Sequence, residues 1–156
     1  MVDQDTSTDS FTDFVREAEP RLRQALCAAF GGDVGRESAS EALAYGWEHW
    51  DRISAMPNPA GYLWGVGRNH ARRLRRPRLT FPVPPSDNVP WFEPGLLAAL
   101  AALSERERVT VMLVHVLEWT FSETAELLGV SKSTVQTQAK RGMAKLRKRL
   151  GVDDER

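Results

Sequence analysis

The sequence predicts an all-α fold: two small helical domains, an N-terminal helical bundle and a C-terminal helix-turn-helix bundle, joined by a proline-rich linker. Three observations predict it. Apolar residues recur at intervals of three and four, with little of the strict alternation that marks strands. Six of the nine prolines (Pro77, Pro82, Pro84, Pro85, Pro90, Pro94) fall within residues 77–94, where missing amide donors and a fixed φ preclude a helix or a central strand. Downstream of them, helix-opening patterns of the Ser/Thr-x-x-Glu kind recur. The boundaries follow: an acidic tail over 1–10, a helical domain over 11–76, a linker over 77–94, a second helical domain over 95–151 and a short tail over 152–156. Separate apolar periodicities in the two halves predict modules that fold independently.

The first helix carries Phe11, Phe14, Val15, Ala18, Leu22, Ala25, Leu26 and Ala29 at helical spacing, with Pro20 offsetting it and Gly31-Gly32 ending it. The second runs from about 34 to 52 through Ala39, Leu43, Trp47 and Trp50, and the two tryptophans read as core. Asn58-Pro59 is a cap followed by proline at the first helical position, and opens a third helix reaching about 76. In the C-terminal half, a short apolar helix covers 96–103. Ser104-x-x-Glu107 opens a helix over about 105–117, and Thr120-x-x-Glu123 opens one that ends at Leu128. Ser131 caps the last helix, whose apolar positions are Val135, Ala139, Met143, Leu146 and Leu150.

The net charge of zero is a sum of opposite patches. Residues 13–51 carry eight acids against four arginines. Residues 68–78 carry six arginines and no acid, and residues 131–150 carry seven bases and no acid. Two separate basic segments point to two contacts with a polyanion, although arginines also suit solvated helix ends. No apolar stretch is long enough to span a membrane, and the acidic, polar start excludes a secretory or transit signal, so a cytoplasmic protein is expected. A lone cysteine, Cys27, excludes an intramolecular disulfide or a thiolate metal cage and reads as a buried small hydrophobe. His49, His70 and His115 lie far apart in sequence, so no metal or other cofactor is expected.

Residues 121–139 fit a DNA-binding helix-turn-helix. The motif needs a small residue at the helix crossing, Ala125, and a residue tolerant of positive φ four positions later, Gly129. It needs apolar corner residues, Leu128, Val130 and Val135, and polar or basic side chains early in the second helix to meet base edges. Lys132, Ser133, Gln136, Thr137, Lys140 and Arg141 meet that need, and Lys145, Arg147, Lys148 and Arg149 extend the basic face toward phosphates. The bland alternative is a helical hairpin with a solvated basic face.

At this point the chain resembles a bacterial RNA polymerase sigma factor of the extracytoplasmic-function type, over about residues 11–151. Phe121-Ser-Glu-Thr-Ala-Glu-Leu-Leu-Gly-Val-Ser-Lys-Ser-Thr-Val135 resembles the family's region that reads the promoter −35 element. It is preceded by Leu103-Ser-Glu-Arg-Glu-Arg-Val and followed by Lys140-Arg-Gly-Met-Ala-Lys-Leu-Arg, both similar to family segments. Glu41-Ala-Leu-Ala-Tyr-Gly-Trp-Glu-His-Trp-Asp-Arg-Ile53 resembles the polymerase-clamp helix, and Pro59-Ala-Gly-Tyr-Leu-Trp-Gly-Val-Gly-Arg-Asn69 the −10-reading helix.

The resemblance implies a non-catalytic specificity subunit that binds core RNA polymerase, through the β′ clamp helices and the β flap, and promoter DNA. An anti-sigma factor is a further partner of such proteins. It implies that Glu37, Ser40 and Glu41 meet the clamp. It also implies that Ser54 and Met56 lie at a pocket for a flipped −10 base, and that Trp64, Arg68, Asn69, Arg72, Arg73 and Arg76 face melted single-stranded DNA. Trp64 and Tyr62 fit either stacking on bases or a core, and His70 among arginines reads as a phosphate contact. The alternative reading is a stand-alone helix-turn-helix regulator with an N-terminal sensing or dimerisation domain. An enzyme is poorly supported, since no nucleophile–base–orienter set or Gly-rich phosphate loop is visible.

Overall fold

The computed structural model describes residues 2–74 and 95–152. The linker expected over 77–94, together with Arg76, lies outside the described residues, as does most of the tail expected over 152–156. Every regular element among the described residues is helical: α1 (Val2–Phe30), α2 (Gly32–Glu48), α3 (Trp50–Ile53), α4 (Pro59–Arg73), α5 (Leu96–Ala101), α6 (Glu105–Val111), a π-turn (Met112–Val116), α7 (Phe121–Leu128) and α8 (Lys132–Leu150).

The residues expected as an acidic tail instead continue α1. There the Ser7 hydroxyl donates to Asp51 Oδ1 at 3.4 Å, tying that first stretch to α3. Pro20 lies within α1, and the helix runs through it. Gly31 breaks the chain with φ 88°, and α2 then packs back along α1. The packing is close at Gly35, where a Cβ would stand 2.4 Å from the Cys27 Cα, so no larger residue fits that crossing. Asn58 caps α4 as its sequence predicts, its side-chain oxygen accepting from the Gly61 amide at 3.0 Å with Pro59 at the first helical position.

Leu22, Leu26, Ile53 and Leu63 are fully buried at the centre of α1, α2, α3 and α4. Trp50 packs against Phe11 and Phe14 with ring centroids 5.2 and 4.8 Å apart. Trp47, expected in the core with Trp50, is instead 50% exposed and leans on Phe11 from outside. The reason is the break between them: α2 ends at Glu48 and Trp50 opens α3, so the two tryptophans do not share one helix face.

In the C-terminal half, Leu100, Leu103, Val111 and Leu146 form a small core of their own. Val109, Leu113 and Leu127 do not join it. They pack into the cluster built by α1, α2 and α4, so one apolar core runs across both halves. Polar contacts reinforce it. Arg108 Nε donates to the Ala29 carbonyl (2.8 Å), Trp119 Nε1 to Gln24 Oε1 (3.1 Å) and Asn58 Nδ2 to the Glu126 carbonyl (2.7 Å). Arg72 grips Glu105 with two bonds, Nε to Oε2 at 3.0 Å and Nη2 to Oε1 at 2.8 Å. The π-turn places Leu113 inside while Val116 and Leu117 face solvent, and its ladder closes with Leu117 N donating to the Met112 carbonyl at 3.0 Å.

Candidate nucleic-acid interface

The helix-turn-helix is built by three local devices. Thr120 and Glu123 form a complete capping box at the start of α7: the hydroxyl accepts from the Glu123 amide at 3.0 Å, and the carboxylate accepts from the Thr120 amide at 2.8 Å. Those bonds favour the ionised form, so the Thr120 amide first, then its hydroxyl, hold the Glu123 carboxyl below the usual range. Gly129 ends α7 in the left-handed region at φ 66°, ψ 34°, and Val130 N donates back to the Ala125 carbonyl at 3.1 Å. A Cβ at Gly129 would meet nothing within 4 Å, so backbone conformation rather than space selects glycine there. Ser131 then caps α8, accepting from the Thr134 amide at 3.1 Å.

These devices set the rotation of α8. Val135, Ala139, Gly142 and Leu146 face inward. Lys132, Ser133, Gln136, Thr137, Lys140 and Arg141 are all exposed, on the turns that the sequence assigned to DNA. The Ser133 hydroxyl shares a 3.0 Å bond with Ser131 Oγ, so it also serves the cap. Lys145 is bound elsewhere: its ammonium donates to Glu107 Oε1 at 2.8 Å, on a carboxylate that is 6% exposed. That bond explains why the Ser104 pattern gives only a simple cap. Ser104 Oγ accepts from the Glu107 amide at 3.2 Å, while the Glu107 side chain turns to α8.

The second basic segment lies at the C-terminal end of α4, where its charge also suits the helix dipole. Asn69 and Arg73 are exposed one turn apart. Arg72 is held by Glu105, whose hydrogen bonds raise the guanidinium pKa further. Arg68 is half-buried, and its Nε has no hydrogen-bond partner. It lines a cleft roofed by Gly129, Val130 and Gln138 of the helix-turn-helix. Trp64 is 4% exposed and belongs to the core, which corrects its expected stacking role: it sits beside Leu63 on the face of α4 that packs inward. His70 is half-buried with Nε2 3.9 Å from Glu37 Oε1, so it points to α2 rather than to a phosphate. In the loop after α3, Ser54 is exposed and Met56 half-buried, while Ile53 is core.

On α2, Glu37, Ser40 and Glu41 share the exposed face, and Ser38 is fully buried. Cys27 is half-buried, and burial raises its thiol pKa against the opposing pull of Arg36 and Arg23. Among the described residues no group of three or more His, Cys, Asp or Glu side chains is placed to hold a metal ion, and no helix is long and apolar enough to cross a membrane.

With this geometry in hand, residues 95–146 match the family model described as sigma-70, region 4. That match covers the helix-turn-helix half of the chain, about a third of its length. It is 39% identical over 67 residues to the RNA polymerase sigma factor CarQ of Myxococcus xanthus, an alignment covering 43% of this chain. The chain spans 38% of that relative's length. In fold it is similar to a solved structure described as the sigma factor RpoE in complex with the anti-sigma factor NepR from Bartonella quintana. The TM-score is 0.64 at 18% identity, over 92% of this chain and 98% of that one. Sequence reasoning missed Arg108, Asn58 and Trp119 as links between the two halves. Their partners lie 79, 68 and 95 residues away, beyond any local pattern.

Proposed function

We propose that the chain binds core RNA polymerase and directs promoter-specific initiation, with 11–76 as the clamp-binding and −10 domain and 95–151 as the −35 domain. The observation that carries this reading is the exposed, acid-free face of Lys132, Ser133, Gln136, Thr137, Lys140 and Arg141 on a helix set by two caps and a left-handed glycine. That face meets the −35 element in the major groove. Asn69, Arg68, Arg72, Arg73 and Arg76 take the melted −10 strand by its phosphates, with Ser54 and Met56 at a flipped base. Glu37, Ser40 and Glu41 meet basic residues of the β′ clamp helices in charge-assisted contacts, and the C-terminal domain meets the β flap. Strand opening is then binding energy applied to single-stranded DNA, with no catalysis by this subunit. The setting is cytoplasmic, and an anti-sigma factor is a further partner, by analogy with the structural neighbour's complex.

Runoff transcription with purified core enzyme across a promoter library tests this. The expected result is initiation from a subset of promoters that share two spaced elements. Sequence-specific DNA binding without recruitment of core enzyme would instead favour a stand-alone regulator.

A further inference from the structure

The cleft under the helix-turn-helix holds positive charge that no protein group answers. Arg68 of α4 and Arg106 of α6 both line it, and among the described residues neither guanidinium makes a hydrogen bond or an ion pair. Arg68 Nε is buried without a partner, and a cationic donor withdrawn from water in that way costs free energy that an incoming anion recovers. Arg106 stays exposed at the rim. The one acid in the wall, Glu105, has both oxygens taken by Arg72, so it leaves Arg68 unanswered.

The rest of the wall has a different character. Trp64, Val109, Val130 and Val135 make one side apolar. Gln138 is half-buried beside them, and its amide has no hydrogen-bond partner among the described residues. A primary amide presents a donor and an acceptor together, a pair that the N6 and N7 edge of adenine matches. Arg106 and Gln138 belong to neither face proposed for DNA. The cleft measures about 270 Å³, near the lower end, about 300 Å³, of small-molecule sites. We propose that it binds a small phosphate ester, up to the size of a nucleoside monophosphate. Arg68 and Arg106 take the phosphate through the planar forks that suit it, and the base lies on the apolar side against Gln138. The walls come from α4, α6 and α8, so an occupant binds the folded chain alone and stabilises it by mass action.

The test titrates the full chain with adenosine monophosphate, inorganic phosphate and adenosine by calorimetry, with thermal unfolding in parallel. Adenosine monophosphate is expected to bind and to raise the unfolding temperature as its concentration rises. Inorganic phosphate should bind more weakly, and adenosine, which lacks the phosphate, least. Arg106→Ala should weaken both phosphate-bearing probes about tenfold or more. Gln138→Ala should weaken adenosine monophosphate about three- to tenfold and leave inorganic phosphate unchanged, a split that loss of packing alone would not produce. Circular dichroism checks that both variants keep their helix content. No binding of any probe up to millimolar concentration overturns the site, as does adenosine monophosphate binding that neither variant weakens. If the small probes are inert and Arg106→Ala weakens only a single-stranded oligonucleotide, the cleft serves DNA phosphates and the small-molecule site is overturned too. Runoff activity is read separately, so each of these failures leaves the promoter reading untouched.

Discussion

The Arg108 guanidinium, 6% exposed, donates from Nε to the Ala29 carbonyl at 2.8 Å and from Nη1 to the Leu103 carbonyl at 3.0 Å. The Ala29 carbonyl lies in the last turn of α1 and the Leu103 carbonyl just past the end of α5, whose own last carbonyl, Ala101, accepts from the same Nη1 at 3.5 Å; there the helix dipole is negative and carbonyls lack partners within the helix. Burial lowers the Arg108 pKa, with Glu105 opposing that shift. One cation thus caps a helix of each half and ties the two together.

Replacing Arg108 by Met should therefore cost about 1–3 kcal/mol, because two buried carbonyls lose their donor. The loss should reach both halves at once, since Val109 and Leu113 belong to the core built on Leu22 and Leu26. Urea unfolding followed by hydrogen exchange on α2 and α8 measures this. Two well-separated transitions in the parent protein would reject a shared core.

Trp64 and Glu41 should separate stability from partner binding. Trp64→Ala removes a buried ring and should cost about 3–5 kcal/mol. Glu41→Arg changes an exposed helix position and should cost about 0.5 kcal/mol or less, while weakening the affinity for core polymerase. Calorimetry and a polymerase pull-down on both variants check the pair. Unchanged polymerase affinity in Glu41→Arg would remove this residue from the interface.

Much of the fold was legible because it is locally encoded. The caps at Asn58, Thr120 and Ser131 and the turn at Gly129 each rest on residues within four positions of one another, and all form as read. The exposed face of α8 followed from its apolar spacing. What the sequence withheld is what each apolar face meets. Periodicity marks Val109 and Leu113 as buried but does not say that their neighbours are Leu22 and Leu26 of the other half. The same gap hid Glu105 from Arg72 and Glu107 from Lys145, since a surface charge pattern names no distant partner. Trp64 shows a different limit, because an aromatic at helical spacing fits a core and a stacking platform equally well.

The capping box gives the C-terminal domain an acid sensitivity with a definite sign. The folded-state pKa of Glu123 is depressed by the Thr120 amide and hydroxyl, so its contribution is present above the unfolded carboxyl pKa and is lost as pH falls through the folded value. Stability should decline below about pH 4.5, near the unperturbed carboxyl pKa, and Glu123→Gln should flatten that part of the curve. Urea midpoints from pH 6 to about pH 3 for both proteins measure it. Parallel curves would show that the carboxylate adds nothing to the cap.

On the proposed −35 reading, Gln136 is the residue of α8 expected to read a base. It is exposed one turn after Lys132, beside the buried Val135, on the N-terminal stretch that enters a major groove in this class of motif. A glutamine there can pair with the N6 and N7 of an adenine, whereas Lys148, three turns further along and exposed in the last turn, can reach only phosphates. Gln136→Ala should relax preference at one −35 position and cost about 1–3 kcal/mol on the preferred sequence. Lys148→Ala should weaken binding evenly across sequences and lower the salt slope by about one. A promoter-library selection with each variant, repeated at two salt concentrations, distinguishes them. If Gln136→Ala keeps the parent's sequence profile and only lowers output uniformly, this glutamine touches the backbone or water, and the −35 preference must come from Lys132, Ser133, Thr137 or Lys140.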